Sequence, residues 1–402
     1  MPHSAVSHGS APALRVSVAT FTGTHPLDLA RELHKAGVLD TYHCALPRFR
    51  VPGLPRDRVR TFPLVLAPHA ALQWAGFGHL GRHLNRMTIG AYDRWLCRVL
   101  TPCDVFHVPS SYGLRAIRRA KSEYGALTVC DRGSSHIRVQ ARILREEVER
   151  WGVWTPAVPR WAIEKEEAEY AEADLIFVPS AFAHRTFVEA GVPPDKVAVI
   201  PYGARLEDYF PTQKRDDTFR VLCVAALSVR KGIRYLLEAT SGLALSNSEV
   251  VLRGAWETES RAVLAPFSGR YRLHPPVARA QLADLYSQAS VLVLPSVEDG
   301  FGLVITQAMA CGVPVIATTH SGGPDVITDG RDGFVVPPRS AAAIAERLQF
   351  LYNHPEERAA MGRAALDKVR GLGGWAQYAA QVVRTYRSRL PVSAATRAVS
   401  GY

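Results

Sequence analysis

The sequence predicts an α/β protein made of two doubly wound units, and its length and the alternation of short β-branched runs with helical stretches carry that prediction. At 402 residues the chain exceeds one ordinary domain, so two domains of roughly 150–200 residues are expected. Hydrophobic residues make up 47% and charged residues 21%, the balance of a soluble chain that buries real cores.

The opening MPHSAVSHGSAPALRVSVATF has no charged region followed by an apolar stretch, and reads as a short disordered leader running into a strand. LRVSVAT (14–20) is that strand, and Pro26–Gly37 reads as a helix closing at a glycine. TYHCAL, DVFHV, ALTVCD and DLIFVPS predict further strands, with helices at RAIRRAKSEYG, RWAIEKEEAEYAEA and SAFAHRTFVEAG between them. Strands alternating with helices form parallel sheets with helices on both faces. The second half repeats the pattern: FRVLCVA, EVVLRG, SVLVLP, VPVIAT and GFVVP alternate with helices starting near Gly232, Val277, Gly302 and Ala341. PYGARLEDYFPTQKRDD (201–217), rich in turn formers and charge, marks the break. The expected organisation is a domain over 1–200, a second over 201–374, and a C-terminal helix near Trp375–Arg389 crossing back to the first domain before a tail. Two such units facing across a cleft place a ligand in the crevice between them, at the carboxyl ends of the strands.

The charge is lopsided. Residues 1–121 hold 16 Lys+Arg against 6 Asp+Glu, a net of +10, out of +11 for the whole chain. A field that localised attracts an anion, such as an acidic acceptor, a lipid phosphate or a membrane surface. Within this third, Phe62–Gly81 runs 20 residues without Asp, Glu, Lys or Arg, and arginines flank it at Arg56, Arg58, Arg60, Arg82 and Arg86. Pro63, Pro68, His69, Gln73 and His79 argue against a membrane span, which leaves an amphipathic, interfacial or acceptor-contacting segment or a buried core segment. The six cysteines are scattered with no C-x-x-C pair, as in reduced thiols of a cytoplasmic protein.

Several chemistries are excluded. No G-x-x-x-x-G-K-[ST] loop, zinc spacing or G-x-S-x-G elbow occurs. Gly371, Gly373 and Ala376 satisfy G-x-G-x-x-A but follow a helix rather than a strand. No DNA- or RNA-binding module is recognisable, so nucleic acid is not an expected partner.

What remains is VLVLPSVEDGFGLVITQAMACGVPVIATTHSGGPDVI (291–327). A strand ends at Pro295–Ser296, a loop carries Glu298, Asp299, Gly300, Phe301 and Gly302, and a helix begins near Leu303 and Val304. Glycines at such a turn let the backbone approach a ligand, and the first helical N–H groups favour an anion by up to about 2 kcal/mol. Asp299 and Gln307 can grip hydroxyls on either side of that anion, as a sugar and a ribose flank a diphosphate. A second strand–loop–helix element, ALSVRKGIRYLLEA (226–239), puts Arg230 and Lys231 just before Gly232. Two cations there can neutralise a diphosphate, each charge-assisted bond being worth roughly 1.5–3 kcal/mol.

Together with EKEEAEYAEADLIFVPSAFAHRTFVEAGVPPDKVAVIPYG, LSVRKG and SGGPDVI, these stretches resemble the retaining glycosyltransferases of GT-B fold, the group 1 or family 4 type, which includes sucrose synthases and bacterial mannosyl- and glucosyltransferases. The resemblance covers roughly residues 162–390, and the first 160 residues match mainly in layout. It implies two Rossmann-like domains, hexose transfer from a nucleotide diphosphate sugar with retention, and no metal or other cofactor. UDP is the first expectation for the donor and GDP the second. The acceptor is a small molecule or lipid-linked compound, and the basic first third favours an anionic one. The scattered cysteines point to a cytoplasmic location, and the basic first third allows peripheral contact at the inner face of the membrane.

Residue by residue, the paired acids of the family fall on Asp299 and Gln307, both departing from the usual glutamates, with Glu298 able to share the task of Asp299. Lys231 matches the family lysine. Ala226 stands where the family often has arginine, and Arg230 can supply the guanidinium. His136, in CDRGSSHIRVQ, is the nearest candidate for a histidine that the family places near the donor sugar, although Cys130 occupies the strand end itself. Gly23, with Thr24 and His25, forms the loop that the resemblance places against the donor. Two other readings stay open: a GT-B-type nucleotide-sugar epimerase, and a non-catalytic nucleotide-sugar binding protein.

Overall fold

The computed structural model describes residues 14–23, 25–75 and 81–390. The predicted leader, Thr24, most of the tip of the 62–81 segment and the tail beyond Leu390 therefore lie outside the described residues.

Among the described residues, thirteen strands form two sheets. The first is built from β1 (Val16–Thr20), β2 (Leu39–Cys44), β3 (Val59–Thr61), β4 (Val105–Pro109), β5 (Leu127–Asp131), β6 (Leu175–Val178) and β7 (Val197–Val199), in the order β3-β2-β1-β4-β5-β6-β7. The second is built from β8 (Phe219–Val224), β9 (Ser248–Arg253), β10 (Arg272–Leu273), β11 (Val291–Leu294), β12 (Val315–Thr318) and β13 (Gly333–Val336), in the order β10-β9-β8-β11-β12-β13. The pairs β1–β2, β1–β4, β8–β9, β8–β11 and β11–β12 all run parallel. The strands read as continuous apolar runs because helices cover both faces, as in VLVL of β11, where every residue is buried. The α/β class of two Rossmann-like sheets read from the sequence is borne out. Every strand named there is present, and the three that it missed, β3, β7 and β10, are the shortest, at two or three residues each.

The chain divides into two compact units, one of Met1–Cys130, Ala168–Leu175 and Ala379–Tyr402, the other of Asp131–Glu167 and Ile176–Tyr378. The first unit is cored by Ala19, Tyr92, Leu96, Phe106, Ile117 and neighbours. Tyr92 donates its buried hydroxyl to the Thr20 carbonyl at 2.6 Å, which fixes the helix Gly81–Val99 on the end of β1. Within the same unit, Tyr386 from the last helix, Trp375–Arg389, hydrogen-bonds His107 Nδ1 at 2.7 Å. The second unit has a larger core over Phe219, Cys223, Leu236, Val291, Ile316 and Leu348. One helix of that unit, Ile137–Trp151, escapes the sequence reading. It docks through Glu147, whose buried carboxylate accepts from Trp151 Nε1, Tyr235 Oη and Arg339 Nε at 3.0, 3.0 and 2.5 Å.

Candidate donor site at the switch point of the second sheet

In the second sheet the strand order reverses between β8 and β11, so the loops that leave these two strands diverge and open a crevice above their carboxyl ends. Those loops are the two elements singled out from the sequence. After β8 the chain turns at Gly232, which has φ +63° and opens the helix Ile233–Ser241. A Cβ at Gly232 would lie 2.0 Å from the Pro295 carbonyl oxygen, so glycine is required by both the left-handed backbone and the close approach of the second loop. That approach is sealed by the Val297 N–H donating to the Arg230 carbonyl at 3.0 Å. Gly232→Ala is expected to cost at least about 2 kcal/mol and to loosen the 228–232 loop, read as a fall in melting temperature together with weaker nucleotide-sugar binding. Unchanged melting would show that the two loops are not held by this contact.

The loop after β11 is shaped by two more tight approaches. A Cβ on Gly300 would sit 2.0 Å from the Gly133 carbonyl oxygen. Gly302 has φ +79° and lies against Leu294. The helix Val304–Ala310 follows, with Leu303 at its N-cap and no side chain capping it; its Ile305 N–H donates to the Gly302 carbonyl at 2.9 Å, and the positive end of the helix dipole lies at this turn. Asp299 is anchored by its own N–H donating to the His320 carbonyl at 2.9 Å.

The four charged residues meet here. Lys231 Nζ lies 2.5 Å from Asp299 Oδ2, and Arg230 Nε lies 2.6 Å from Glu298 Oε2. The two pairs differ in exposure. The Glu298 side chain has no exposed surface, and its Oε1 accepts from Ser134 Oγ at 2.6 Å, Ser135 N at 3.1 Å and Ser135 Oγ at 2.7 Å. Gln140 Nε2 donates to Oε2 at 3.0 Å. Burial opposes the ionisation of Glu298, but the Arg230 guanidinium and the donors Ser134, Gln140 and Ser135 outweigh it and hold the carboxyl well below the usual carboxylate range. Glu298 is thus a charged anchor that fixes Arg230. Asp299 keeps 12% of its side chain exposed and Lys231 15%, while Arg230 of the first pair keeps 33%, so both cations retain some surface. An ammonium carries three donors, and the contact with Asp299 engages one of them.

Gln307 lies in the helix Val304–Ala310, half-buried, with its Oε1 accepting from Tyr286 Oη at 2.8 Å. Its amide N–H groups are thereby turned away from Tyr286 by the fixed geometry of the carboxamide. Phe301 is buried, with its ring edge-on to Tyr202 at 5.7 Å and its carbonyl accepting from Gly322 N at 2.8 Å, while Leu303 and Val304 are half-buried beside it. His136 is placed differently from these. It caps the helix Ile137–Trp151 by accepting from Arg138 N at 3.3 Å, its ring stands edge-on to Phe187 at 5.0 Å, and burial lowers its pKa to about 4. Gly23 belongs to the first unit, where its N–H donates to Thr20 Oγ1 at 3.1 Å. The structure thus brings together Arg230, Lys231, Glu298 and Asp299 below the Gly302–Val304 turn, and it adds Ser134, Ser135, Gln140 and Tyr286, which the sequence reading missed. The two serines stand directly before His136, so attention to that histidine passed over its polar neighbours. A cavity of ≈ 290 Å³ opens beside the cations, lined among others by Leu144, Val148, Pro156, Val158, Arg230 and Lys231.

Paired parallel sheets of this order define a GT-B-fold protein, and solved structures agree over nearly the whole chain. A sucrose-phosphate synthase from Thermosynechococcus elongatus matches with a TM-score of 0.67 at 20% identity, covering 93% of this chain and 98% of that one. The HepE protein of Anabaena, solved with UDP-glucose, matches with a TM-score of 0.66 at 16% identity, covering 93% and 100%. Residues 205–368, less than half of the chain, match the family glycosyl transferases group 1. A curated D-inositol 3-phosphate glycosyltransferase from an Arthrobacter species is 33% identical over 219 residues, 48% of this chain and 50% of that protein. The chain spans about half to three-fifths of the length of curated relatives it matches, 50%, 56% and 62% for three of them.

Proposed function

We propose that this chain is a glycosyltransferase that binds a nucleotide diphosphate sugar at the switch point of its second sheet and passes the sugar to an acceptor with retention. The observation that carries the reading is the Lys231–Asp299 pair, 2.5 Å apart and partly exposed at the uncapped turn into the helix Val304–Ala310. In this proposal the diphosphate rests against the Gly302, Leu303 and Val304 amides and takes the two remaining Lys231 donors, with Arg230, held by Glu298, supplying the second cation. Asp299 contacts sugar hydroxyls, and Gln307 offers its amide to the ribose. The bond from the anomeric carbon to the phosphate oxygen breaks, the acceptor oxygen bonds to that carbon on the same face, and the acceptor proton passes to the departing phosphate oxygen. Lys231, Arg230 and the helix amides stabilise the charge that develops on the leaving group, so no metal is required in this mechanism. His136 and Gly23 keep the place that the family resemblance gives them near the donor sugar.

The neighbour solved with UDP-glucose favours a UDP-sugar over a GDP-sugar. The relatives named for an inositol phosphate acceptor, together with the net +10 of residues 1–121, favour an anionic acceptor. The six cysteines are scattered with no C-x-x-C pair, and we propose a reducing, cytoplasmic setting. A thermal-shift panel of UDP-, GDP- and ADP-sugars tests the donor reading. The melting temperature is expected to rise with a UDP-sugar, by about 2.7 kcal/mol of added stability at a hundredfold excess over Kd. No shift with any nucleotide sugar would overturn it.

A further inference from the structure

No described helix is long and apolar enough to cross a membrane, yet one part of the first unit leaves apolar surface in water. The turn Pro63–Leu66 packs against the helices Ala67–Trp74 and Gly81–Val99, and these two helices pack against each other. The helix Ala67–Trp74 contains no charged residue and buries none of its eight. Trp74 is 93% exposed, Leu64 on the adjoining turn 76%, and Met87 on the following helix 70%. A tryptophan that costs so much to hydrate, on a helix that contributes nothing to the core, has no folding rationale.

The surroundings say what would cover it. On the helix Gly81–Val99, Met87, Arg94 and Arg98 are seven and four residues apart and so share a face, and both arginines are exposed, as is Arg86. Arg60 is exposed just before the turn. Exposed uncharged aromatic and aliphatic side chains on three elements packed together, with exposed arginines on the same helix and just before the turn, match an interface where hydrocarbon lies beneath a layer of phosphate. They do not match a protein core, which would leave the guanidinium groups unpaired. We propose that the turn Pro63–Leu66 and the two helices that pack on it dock this protein on an anionic phospholipid surface. Trp74, Leu64 and Met87 insert at headgroup depth, while Arg60, Arg86, Arg94 and Arg98 pair with lipid phosphates. These residues belong to the first unit, and the case for this surface does not depend on the donor-binding residues.

The test is co-sedimentation of the full chain with vesicles of phosphatidylcholine alone and of phosphatidylcholine mixed with phosphatidylglycerol. Binding is expected to the mixed vesicles, to weaken steeply with added salt and to be slight on the neutral ones. The double substitution Leu64→Ala with Trp74→Ala is expected to lower the partition constant at least about tenfold, and Arg94→Glu about fivefold, with melting temperatures unchanged because these side chains lie in solvent. Equal sedimentation of the wild type and the Leu64→Ala/Trp74→Ala variant would overturn the proposal. So would a change in oligomeric state by light scattering without any vesicle binding, which would make this face a contact between copies of the chain.

Discussion

Lys231→Ala is expected to lower kcat/KM about 10²–10³-fold, the size of effect seen when one preorganised donor to a developing negative charge is removed. The lysine is positioned for this from two sides. Gly232 lets its loop lie on the Pro295 carbonyl, and Asp299 holds its ammonium at 2.5 Å, so little reorganisation is needed when charge builds on the leaving phosphate. Because the interaction strengthens as the anomeric bond breaks, kcat is expected to fall more than donor affinity does. Lys231→Arg is expected to recover only part of the loss, since a planar guanidinium cannot occupy the compact place of an ammonium between Asp299 and a phosphate. Steady-state kinetics with donor titrations check both statements. A Lys231→Ala enzyme with near-normal kcat/KM would remove the central cation from the proposed mechanism.

Glu298→Ala is expected to be the most destabilising single change in the second unit, at roughly 3–5 kcal/mol. The carboxylate is fully buried, and its removal leaves the Arg230 guanidinium, two serine hydroxyls, the Ser135 N–H and the Gln140 amide without their acceptor. The melting temperature is expected to fall by on the order of 10 °C. Arg230 loses its orientation at the same time, so nucleotide-sugar affinity is expected to drop in whatever fraction stays folded. The pH dependence has a definite sign. The folded state holds the Glu298 carboxyl well below its ordinary value of 4.5, so its stabilisation is complete above that value and is lost as the pH falls towards the folded pKa. The stability difference between the wild type and Glu298→Gln is therefore expected to be largest near neutrality and to shrink progressively below about pH 4.5. A pH-independent difference would mean that Glu298 acts by shape alone.

Local chemistry carried much of this protein into view. Alternating β-branched runs and helices specify parallel sheets wherever the runs are long enough to be buried on both faces, which is why β1, β8 and β11 were legible. β10, only two residues long and exposed at the sheet edge, was not. The glycine turn at 300–302 and the cations at 230–231 were legible for the same reason. Each is a short-range requirement of backbone geometry or charge that consecutive residues express.

Tertiary structure decided which charges work and which hold. In the sequence Glu298 and Asp299 are adjacent acids, with Asp299 in the register of the family's paired acids and Glu298 able to share its task. Only folding shows that the first is enclosed by Ser134, Ser135 and Gln140, more than 150 residues away, while the second pairs with Lys231 and keeps 12% of its side chain exposed. The same holds for Trp74, which a sequence cannot distinguish from a core aromatic. Burial is a property of what packs against a residue, and for residues distant in the chain that is set by the order in which the strands join their sheet.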